Sequence, residues 1–386
     1  MDFVLNSEQQ LLQDSVRRYI DKQYSFEART ALVKAGRNGS ADNWGIFAAN
    51  GWLMAALPEE HGGLGGSVLD SVIIAQELGR GLVLEPFLGC AVLAAQTLLA
   101  SAAEEQKARL LPQLAEGSLR IALAYAEPAS RGMPEPVGLV AEPQGQGYRL
   151  SGRKTLVLGA VDASAFIVSA SIPGVPGISP GVPGISLLLV DGASAGLGRQ
   201  ALRLHDDTWV EELTFDGVQV GAEALLGQPG QGLPALREGL AQGTVVLCAE
   251  LIGAMEKTIE VTAEYLKVRQ QFGVAIGSFQ ALQHRMADMA AELELARSML
   301  HGALASLAND DEATRQKTLS AAKMLVCRAA KFVCGQGIQL HGGIGMTEEY
   351  LVGHYYKRAI VADLQLGSSD RHEAACAAAL QAELRG

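Results

Sequence analysis

No run of like charge long enough to form an arm occurs in these 386 residues, and the formal net charge is -11. Both facts argue against nucleic acid or an anionic membrane surface as a partner, so the acidity is read as serving solubility. The N-terminus, Met1-Asp-Phe-Val-Leu-Asn-Ser-Glu8, lacks a basic n-region and an apolar h-region, and no later uninterrupted apolar stretch reads as long enough to span a bilayer. A cytoplasmic location is the expectation. Paired cysteine spacing is also missing: Cys90, Cys248, Cys327, Cys334 and Cys376 are scattered through alanine-rich stretches. That speaks against a metal centre or a disulfide framework and for buried thiols.

What is present is ample material for packed cores, with 48% hydrophobic residues in a chain long enough for two or three domains. The texture changes twice. Up to Gly117 it is helical: Ser7 is a candidate N-cap for Glu8 to Gln23, and Ala/Leu-rich stretches follow at Ser71 to Gly79 and Leu88 to Ala103. From Ser118 short β-branched or alternating runs take over (Arg120 to Ala126, Gly147 to Leu150, Ala165 to Ser169, Ser186 to Val190, Glu211 to Val220), punctuated by Gly, Pro and Asp. After that, helical spacing returns in Gly239 to Val268, Gln280 to Leu307, Glu312 to Leu340 and Arg371 to Leu384. The reading is an α+β chain: an N-terminal helical domain over 1–117, a middle β domain over 118–230 and a C-terminal four-helix bundle over 231–386, with helices long enough to make subunit contacts.

Inside the β region, Pro173-Gly-Val-Pro-Gly-Ile-Ser179 repeats at once as Pro180-Gly-Val-Pro-Gly-Ile-Ser186. Proline at that spacing works against a sheet ladder, so the duplication is expected to be a lengthened surface loop. Two glycine clusters, Gly62-Gly-Leu-Gly-Gly-Ser67 and Gly342-Gly-Ile-Gly345, lack the strand-then-helix setting and the full spacing of a dinucleotide loop. The second can still let backbone amides approach a phosphate or an adenosine edge.

The order of several segments resembles the acyl-CoA dehydrogenase family along nearly the whole chain. They are Gly51-Trp-Leu, Leu57-Pro-Glu-Glu-His-Gly-Gly63 and Glu77-Leu-Gly-Arg80, then Tyr125-Ala-Glu-Pro128 and Leu150-Ser-Gly-Arg-Lys154. The C-terminal third adds Arg269-Gln-Gln-Phe-Gly273, Phe279-Gln280, Gln339-Leu-His-Gly-Gly-Ile-Gly345, Met346-Thr-Glu-Glu-Tyr350 and Gly367-Ser-Ser369. The resemblance implies a helical domain, a β domain and a second helical bundle, with FAD shared at a subunit interface. It implies that one subunit's middle domain holds the flavin ring, while the neighbour reaches the adenosine diphosphate half with residues matching Arg269, Phe272, Gln280, Gln339, Gly342 and Gly343. An acyl-CoA thioester as substrate and electron-transfer flavoprotein as acceptor follow from the same resemblance.

The departures are as informative. The family's chemistry removes the proton α to the thioester with a carboxylate and passes the β-hydride to flavin. The usual base position matches Leu366, the alternative one matches Gly243, and an arginine often found after the latter is Thr244. Neither Leu366 nor Gly243 accepts a proton. On the ring side, Ala126 stands for Ser or Thr, Ser130-Arg-Gly-Met-Pro134 replaces a Gly-Ser-Asp turn, and Leu156-Val-Leu158 replaces an aromatic-x-Ser/Thr set. Glu250, Asp363, Asp370, His372 and Glu373 are the remaining candidate bases. The resemblance thus implies the base-less subunit of a heteromeric acyl-CoA dehydrogenase, paired with a paralogous chain that carries the glutamate. The alternatives are a self-sufficient homo-oligomeric enzyme with an unusual base, a non-enzymatic acyl-CoA-binding protein, and a flavin monooxygenase on the same fold.

Overall fold

The computed structural model describes residues 5–177, 183–309 and 311–384. Helices occupy the first stretch: α1 (Ser7–Gln23), α2 (Phe26–Lys34), α3 (Ala41–Ala49), α4 (Val68–Arg80), α5 (Ala95–Ser101) and α6 (Glu104–Ala115). Eight strands follow, β1 (Ile121–Ala124), β2 (Val140–Gln144), β3 (Gly147–Leu158), β4 (Ala165–Pro176), β5 (Pro183–Asp191), β6 (Leu197–Arg203), β7 (Trp209–Val220) and β8 (Leu225–Leu226). The C-terminal part holds α7 (Leu233–Val268), a small hairpin of β9 (Gln270–Gln271) and β10 (Val274–Ala275), then α8 (Gln280–Ser306), α9 (Glu312–His341), α10 (Val352–Leu364) and α11 (Ser369–Glu383). The expected succession of helical, sheet and helical regions is therefore present.

Three local expectations change. The N-cap of α1 is Asn6 rather than Ser7: its side chain accepts from Gln9 N at 2.9 Å while Gln9 returns a bond to Asn6 N at 3.1 Å, closing a capping box. Among the described residues the C-terminal region has five α-helices, not four. Sequence spacing passes over α10 because His354, Arg358 and Asp363 lie among its buried residues, so its inward face does not look apolar. The tandem repeat is not a simple loop either. β4 runs to Pro176 and β5 starts at Pro183, with those two prolines paired after an irregularity that follows Ser171, so most of the repeat prolongs a hairpin. Residues 178–182 of it lie outside the described residues.

The chain forms two compact units. One comprises Met1–Ala35, Val72–Val83 and Thr244–Gly386. In it α4 and α7 touch backbone to backbone: a Cβ on Gly253 would lie 1.8 Å from Gln76 O, and one on Gly79 would lie 2.0 Å from Glu250 O. Only glycine permits this crossing. Beside it, Arg17 bonds buried Glu77 at 2.6 Å and Arg80 reaches Glu256 at 3.2 Å and Glu260 at 2.6 Å, which ties α1, α4 and α7 together.

The other unit comprises Gly36–Ser71 and Leu84–Gly243 and contains the sheet. Strand order is β6-β7-β3-β2-β4-β5-β8, with β1 parallel to β4. Its core is built by the inward-facing sets Leu139 and Ala141, Leu150 and Val157, Phe166 and Val168, Leu188 and Val190, and Leu213 and Phe215. The stretch expected as a helix from Leu88 opens instead as a π-helix, Phe87–Ala94, and continues as α5.

Among the described residues one helix, Leu233–Val268, is long and apolar enough to cross a membrane by length and composition, although charged residues interrupt it. Of its apolar window 83% is buried inside the protein, which is how a core helix behaves. Cys90, Cys248, Cys327 and Cys334 are buried free thiols, and burial pushes Cys90 and Cys334 up to about 12.

Candidate functional site

The residues matched to an adenosine diphosphate contact all lie in the first unit, and all are exposed. Arg269 follows the end of α7 and leads into the β9–β10 hairpin, where Val274 pairs with Gln271. The two-residue turn between them, Phe272-Gly273, has positive φ at both positions (55° and 81°), the requirement of a type I′ turn. Phenylalanine is a costly choice there, by roughly 1–2 kcal/mol. The turn thrusts its ring outward, 92% exposed, against no core. Phe279 lies edge-on to it at 6.2 Å, and Gln280 opens α8, whose N-cap has no side-chain hydrogen bond.

The glycine stretch is held close to this end of α7. Tyr265 OH donates to His341 O at 3.3 Å, and the two rings stack with centroids 4.4 Å apart. Gln339 is exposed in the last turn of α9, and Gly342 (φ 64°) ends it. A Cβ on Gly342 or Gly343 would meet nothing within 4 Å, so packing inside the chain does not require Gly343 to be bare. A forked guanidinium, an aromatic ring, two amides and an open glycine pair suit a dinucleotide's pyrophosphate and adenosine.

The first glycine cluster is different. Gly63 N, Leu64 N, Gly65 N and Gly66 N donate to Pro58 O, Met54 O, Leu57 O and Ala55 O at 2.9 to 3.1 Å. Those amides are spent inside the turn, and among the described residues no strand precedes them.

Leu366, the residue matched by resemblance to a base position, is buried with φ 57° and leads into Gly367 at φ 89°. His372 Nε2 donates to Leu366 O at 2.9 Å, while Gln365 Oε1 accepts from Arg358 at 3.1 Å. The leucine is thus fixed from both sides. The candidate replacement bases are mostly engaged. Glu250 accepts from Nε and Nη2 of the Arg358 guanidinium, at 2.5 and 3.1 Å. Glu373 pairs with Arg328 at 2.6 Å. Burial works against ionisation of Asp363, but the Lys331 bond at 3.0 Å and Ser369 N outweigh it and hold the carboxyl below its usual range. A carboxylate held ionised by a lysine is a poor base. His372 is kept neutral by burial. Asp370 is exposed in the first turn of α11. Gly243 and Thr244 are buried in α7.

The ring-side positions belong to the other unit. Between the pairs Lys154↔Leu213 and Val157↔Glu211, β3 has two residues where β7 has one, so Thr155 and Leu156 bulge opposite Glu212. Leu156 takes φ 51° and points outward, 45% exposed. Thr155 N donates to Ala126 O at 2.9 Å, and both Thr155 Oγ1 and Leu156 N donate to Glu212 Oε1, the latter at 3.2 Å. Leu158 is covered by the π-helix: a Cβ on Gly89 would lie 2.7 Å from Leu158 O. The Ser130–Pro134 turn is likewise closed on itself, with Ser130 Oγ donating to Glu127 O and Tyr125 OH donating to Gly132 O at 3.0 Å. These residues do not fit a flavin ring, because their donors already have partners in the chain and the exposed side chain is apolar.

Sequence reasoning quoted Glu127 and Lys154 without giving them a role. They form a buried ion pair at 2.6 Å, with Glu127 also accepting from Gly138 N and Leu139 N at 2.7 and 3.0 Å and Lys154 from β3 reaching Ser169 and Tyr125 O. Burial lowers Lys154 to about 8 despite its partner. Glu212 and Arg358 were missed altogether, since their partners lie 56 and 108 residues away.

Residues 6–118 match the acyl-CoA dehydrogenase N-terminal domain family and residues 230–381 its C-terminal domain family. The chain is 31% identical over 353 residues to "Acyl-CoA dehydrogenase IpdE2" of Mycobacterium tuberculosis, covering 91% of each. It is 28% identical over 324 residues to "Caffeyl-CoA reductase-Etf complex subunit CarC" of Acetobacterium woodii, covering 83% of this chain and 84% of that protein. Among solved structures, the ChsE4-ChsE5 complex from Mycobacterium tuberculosis is similar with a TM-score of 0.88 and 27% identity, covering 99% of both chains.

Proposed function

The chain belongs to the acyl-CoA dehydrogenase family of FAD-dependent oxidoreductases, and from that premise we propose that it is the base-less subunit of a heteromeric enzyme. In this reading it completes the FAD site of a paralogous subunit that carries the catalytic glutamate. One observation carries the proposal: Leu366, buried and pinned at its carbonyl by His372, holds the base position, while Glu250, Asp363 and Glu373 are each bound to a cation. A general base contributes about 10²- to 10⁴-fold, and here the α-proton has no acceptor from this chain's base positions.

Arg269 would hold the pyrophosphate, Phe272 would pack on apolar cofactor surface, Gln280 and Gln339 would hydrogen-bond, and Gly342 and Gly343 would leave room for the adenosine end. FAD, when bound, supplies the hydride acceptor for dehydrogenation of an acyl-CoA thioester. The cofactor's re-oxidation is assigned to electron-transfer flavoprotein, a choice supported by the relative named as an Etf-complex subunit. The similarity to a two-component complex supports the heteromer.

The test is purification of the chain alone and together with a family member that has the glutamate. The isolated chain should emerge from gel filtration without the flavin absorbance, and it should not reduce an artificial acceptor with acyl-CoA. Leu366→Glu should leave it silent, because the ring-side contacts are missing as well. The co-purified pair should be yellow and active. Stoichiometric FAD on the isolated chain, or turnover by it, would overturn the proposal.

A further inference from the structure

Gln339, Gly342 and Gly343 are exposed on one turn at the end of α9, and His341, in the middle of it, is buried. The chain closes around this ring. Tyr265, in the last turn of α7, stacks on it with centroids 4.4 Å apart, and Tyr350 lies against it at 5.0 Å. Tyr265 OH donates to His341 O at 3.3 Å, and Gly337 O accepts from Nδ1 at 2.8 Å. Further along, Gly345 returns to the same residue: a Cβ there would lie 3.1 Å from His341 Cβ and 2.7 Å from Ile338 O. The exposed glycines make no such contacts, since a Cβ on Gly342 or Gly343 would meet nothing within 4 Å. The shape of the turn is therefore set by what packs on His341. With its proton on Nδ1, the ring keeps Nε2 as a buried acceptor that has no hydrogen-bond partner. A second proton would make Nε2 a charged donor, and the closed turn offers it no acceptor.

We infer that His341 is a positioning residue: its neutral ring, clamped by Tyr265 and Tyr350, holds the turn that carries Gln339, Gly342 and Gly343 against the end of α7, and a second proton releases that turn without unfolding the helices around it. For what the turn meets, the adenosine end of FAD, the inference rests on the reading above, and it deepens that reading by making the contact depend on one proton. The titratable groups facing the ring are the two phenols. Tyr265 is protonated, because it donates to His341 O, and burial raises Tyr350 above its ordinary 10, so both are uncharged near neutrality. Burial, opposed by the smaller effect of the Gly337 bond, holds the folded imidazole below 6.5. Above that pH the open and closed turns are both neutral at His341; below it the open turn takes up a proton that the closed turn refuses. Between about pH 7.5 and about pH 5.5 the opening equilibrium therefore rises about tenfold.

The test begins with amide hydrogen exchange of the full isolated chain, without FAD, at those two pH values and corrected for intrinsic rates. Protection of residues 339–346 should fall about tenfold at the lower pH, while the middle of α9, residues 319–330, should change far less. His341→Phe, which keeps a ring in the slot and removes the proton site, should make protection of 339–346 independent of pH. A second measurement uses the complex with a family member that carries the glutamate, with FAD affinity read by equilibrium dialysis. His341→Ala should bind FAD about tenfold more weakly than wild type, and His341→Phe within about threefold of it. A wild-type segment whose protection ignores pH overturns the inference, as does a pH response that survives in His341→Phe, which would belong to His354 at its bond to Glu348 O. Equal FAD affinities of the wild-type and His341→Ala complexes overturn the link to the cofactor. Failure of the parent reading looks different, since the isolated wild-type chain would then retain FAD whatever its exchange pattern.

Discussion

Glu250 and Arg358 face each other as a bidentate ion pair between α7 and α10, with contacts of 2.5 and 3.1 Å and with most of both side chains out of water. Arg358 also holds Gln365, the residue before Leu366. The pair therefore helps fix the segment before Leu366 and, by the same bonds, engages the Glu250 carboxylate. Removing one partner of such a pair strands the other. Arg358→Ala should cost about 3 kcal/mol of stability, measured by denaturant unfolding. Glu250→Gln should leave turnover of the assembled enzyme unchanged, whereas loss of a true base would lower it about 100-fold or more. A large fall in turnover with intact folding would make Glu250 catalytic.

Arg269 is the exposed cation at the head of the hairpin, and no packing inside the chain needs it. Arg269→Ala should keep the fold and the assembly but weaken FAD retention by the complex by roughly 1.5–3 kcal/mol, the range for hydrogen bonds to charged groups. Equilibrium dialysis of FAD against the mutant and wild-type complexes measures this. Equal affinities would remove Arg269 from the cofactor contact and leave its exposure unexplained.

Much of this fold was legible because apolar spacing reports buried faces. The bounds of α8 and α9 and the positions of β4, β5 and β7 follow from it closely. What was not legible shares a cause: the deciding interaction is remote or conformational. β6 is exposed along nearly its whole length, so it shows no alternation, and α10 hides charged residues in its inner face. Leu156 and Leu366 occupy left-handed backbone that nothing in their side chains announces. At the site, the residues that the motif order singled out, Arg269, Phe272, Gln280, Gln339, Gly342 and Gly343, are all exposed in the structure. It could not show the bonds from Glu212 to Thr155 and Leu156 or from Arg358 to Glu250, because those partners lie 56 to 108 residues apart.

The glycine in Glu77-Leu-Gly-Arg80 illustrates how a motif residue acquires its meaning from packing. Gly79 and Gly253 meet across the α4–α7 crossing, each facing the other helix's carbonyls. A methyl at Gly253 would be 1.8 Å from Gln76 O, a backbone atom that cannot rotate away. Gly253→Ala should therefore force the helices apart and cost about 3 kcal/mol, at the upper end of overpacking effects. The helix-propensity gain of alanine, about 1 kcal/mol, is too small to offset it. Thermal unfolding decides, and a variant as stable as wild type would mean that the helices separate without penalty.

His341 gives the fold a pH dependence whose sign is fixed by its bonds. Its Nδ1 lies 2.8 Å from Gly337 O, a carbonyl that only accepts, so the proton resides on Nδ1 and the ring is neutral. Its Nε2 is buried without a hydrogen-bond partner, between the rings of Tyr265 and Tyr350. Protonation would leave a charged donor unsatisfied there, and burial accordingly holds the folded pKa below the ordinary 6.5. Above pH 6.5 the folded and unfolded states are both neutral at this residue and it contributes no slope. As pH falls through 6.5 the unfolded chain takes up a proton that the folded chain refuses, so stability present above that value is lost progressively down to the lower folded pKa. His354 and His372, both also held low by burial, act in the same direction. Unfolding free energies measured between about pH 7.5 and pH 5 should fall with acid, and His341→Phe should make that fall shallower while lowering stability at neutral pH through loss of the Gly337 bond. An unchanged acid slope in the variant would assign the dependence to the other histidines held low by burial, His301, His354 and His372.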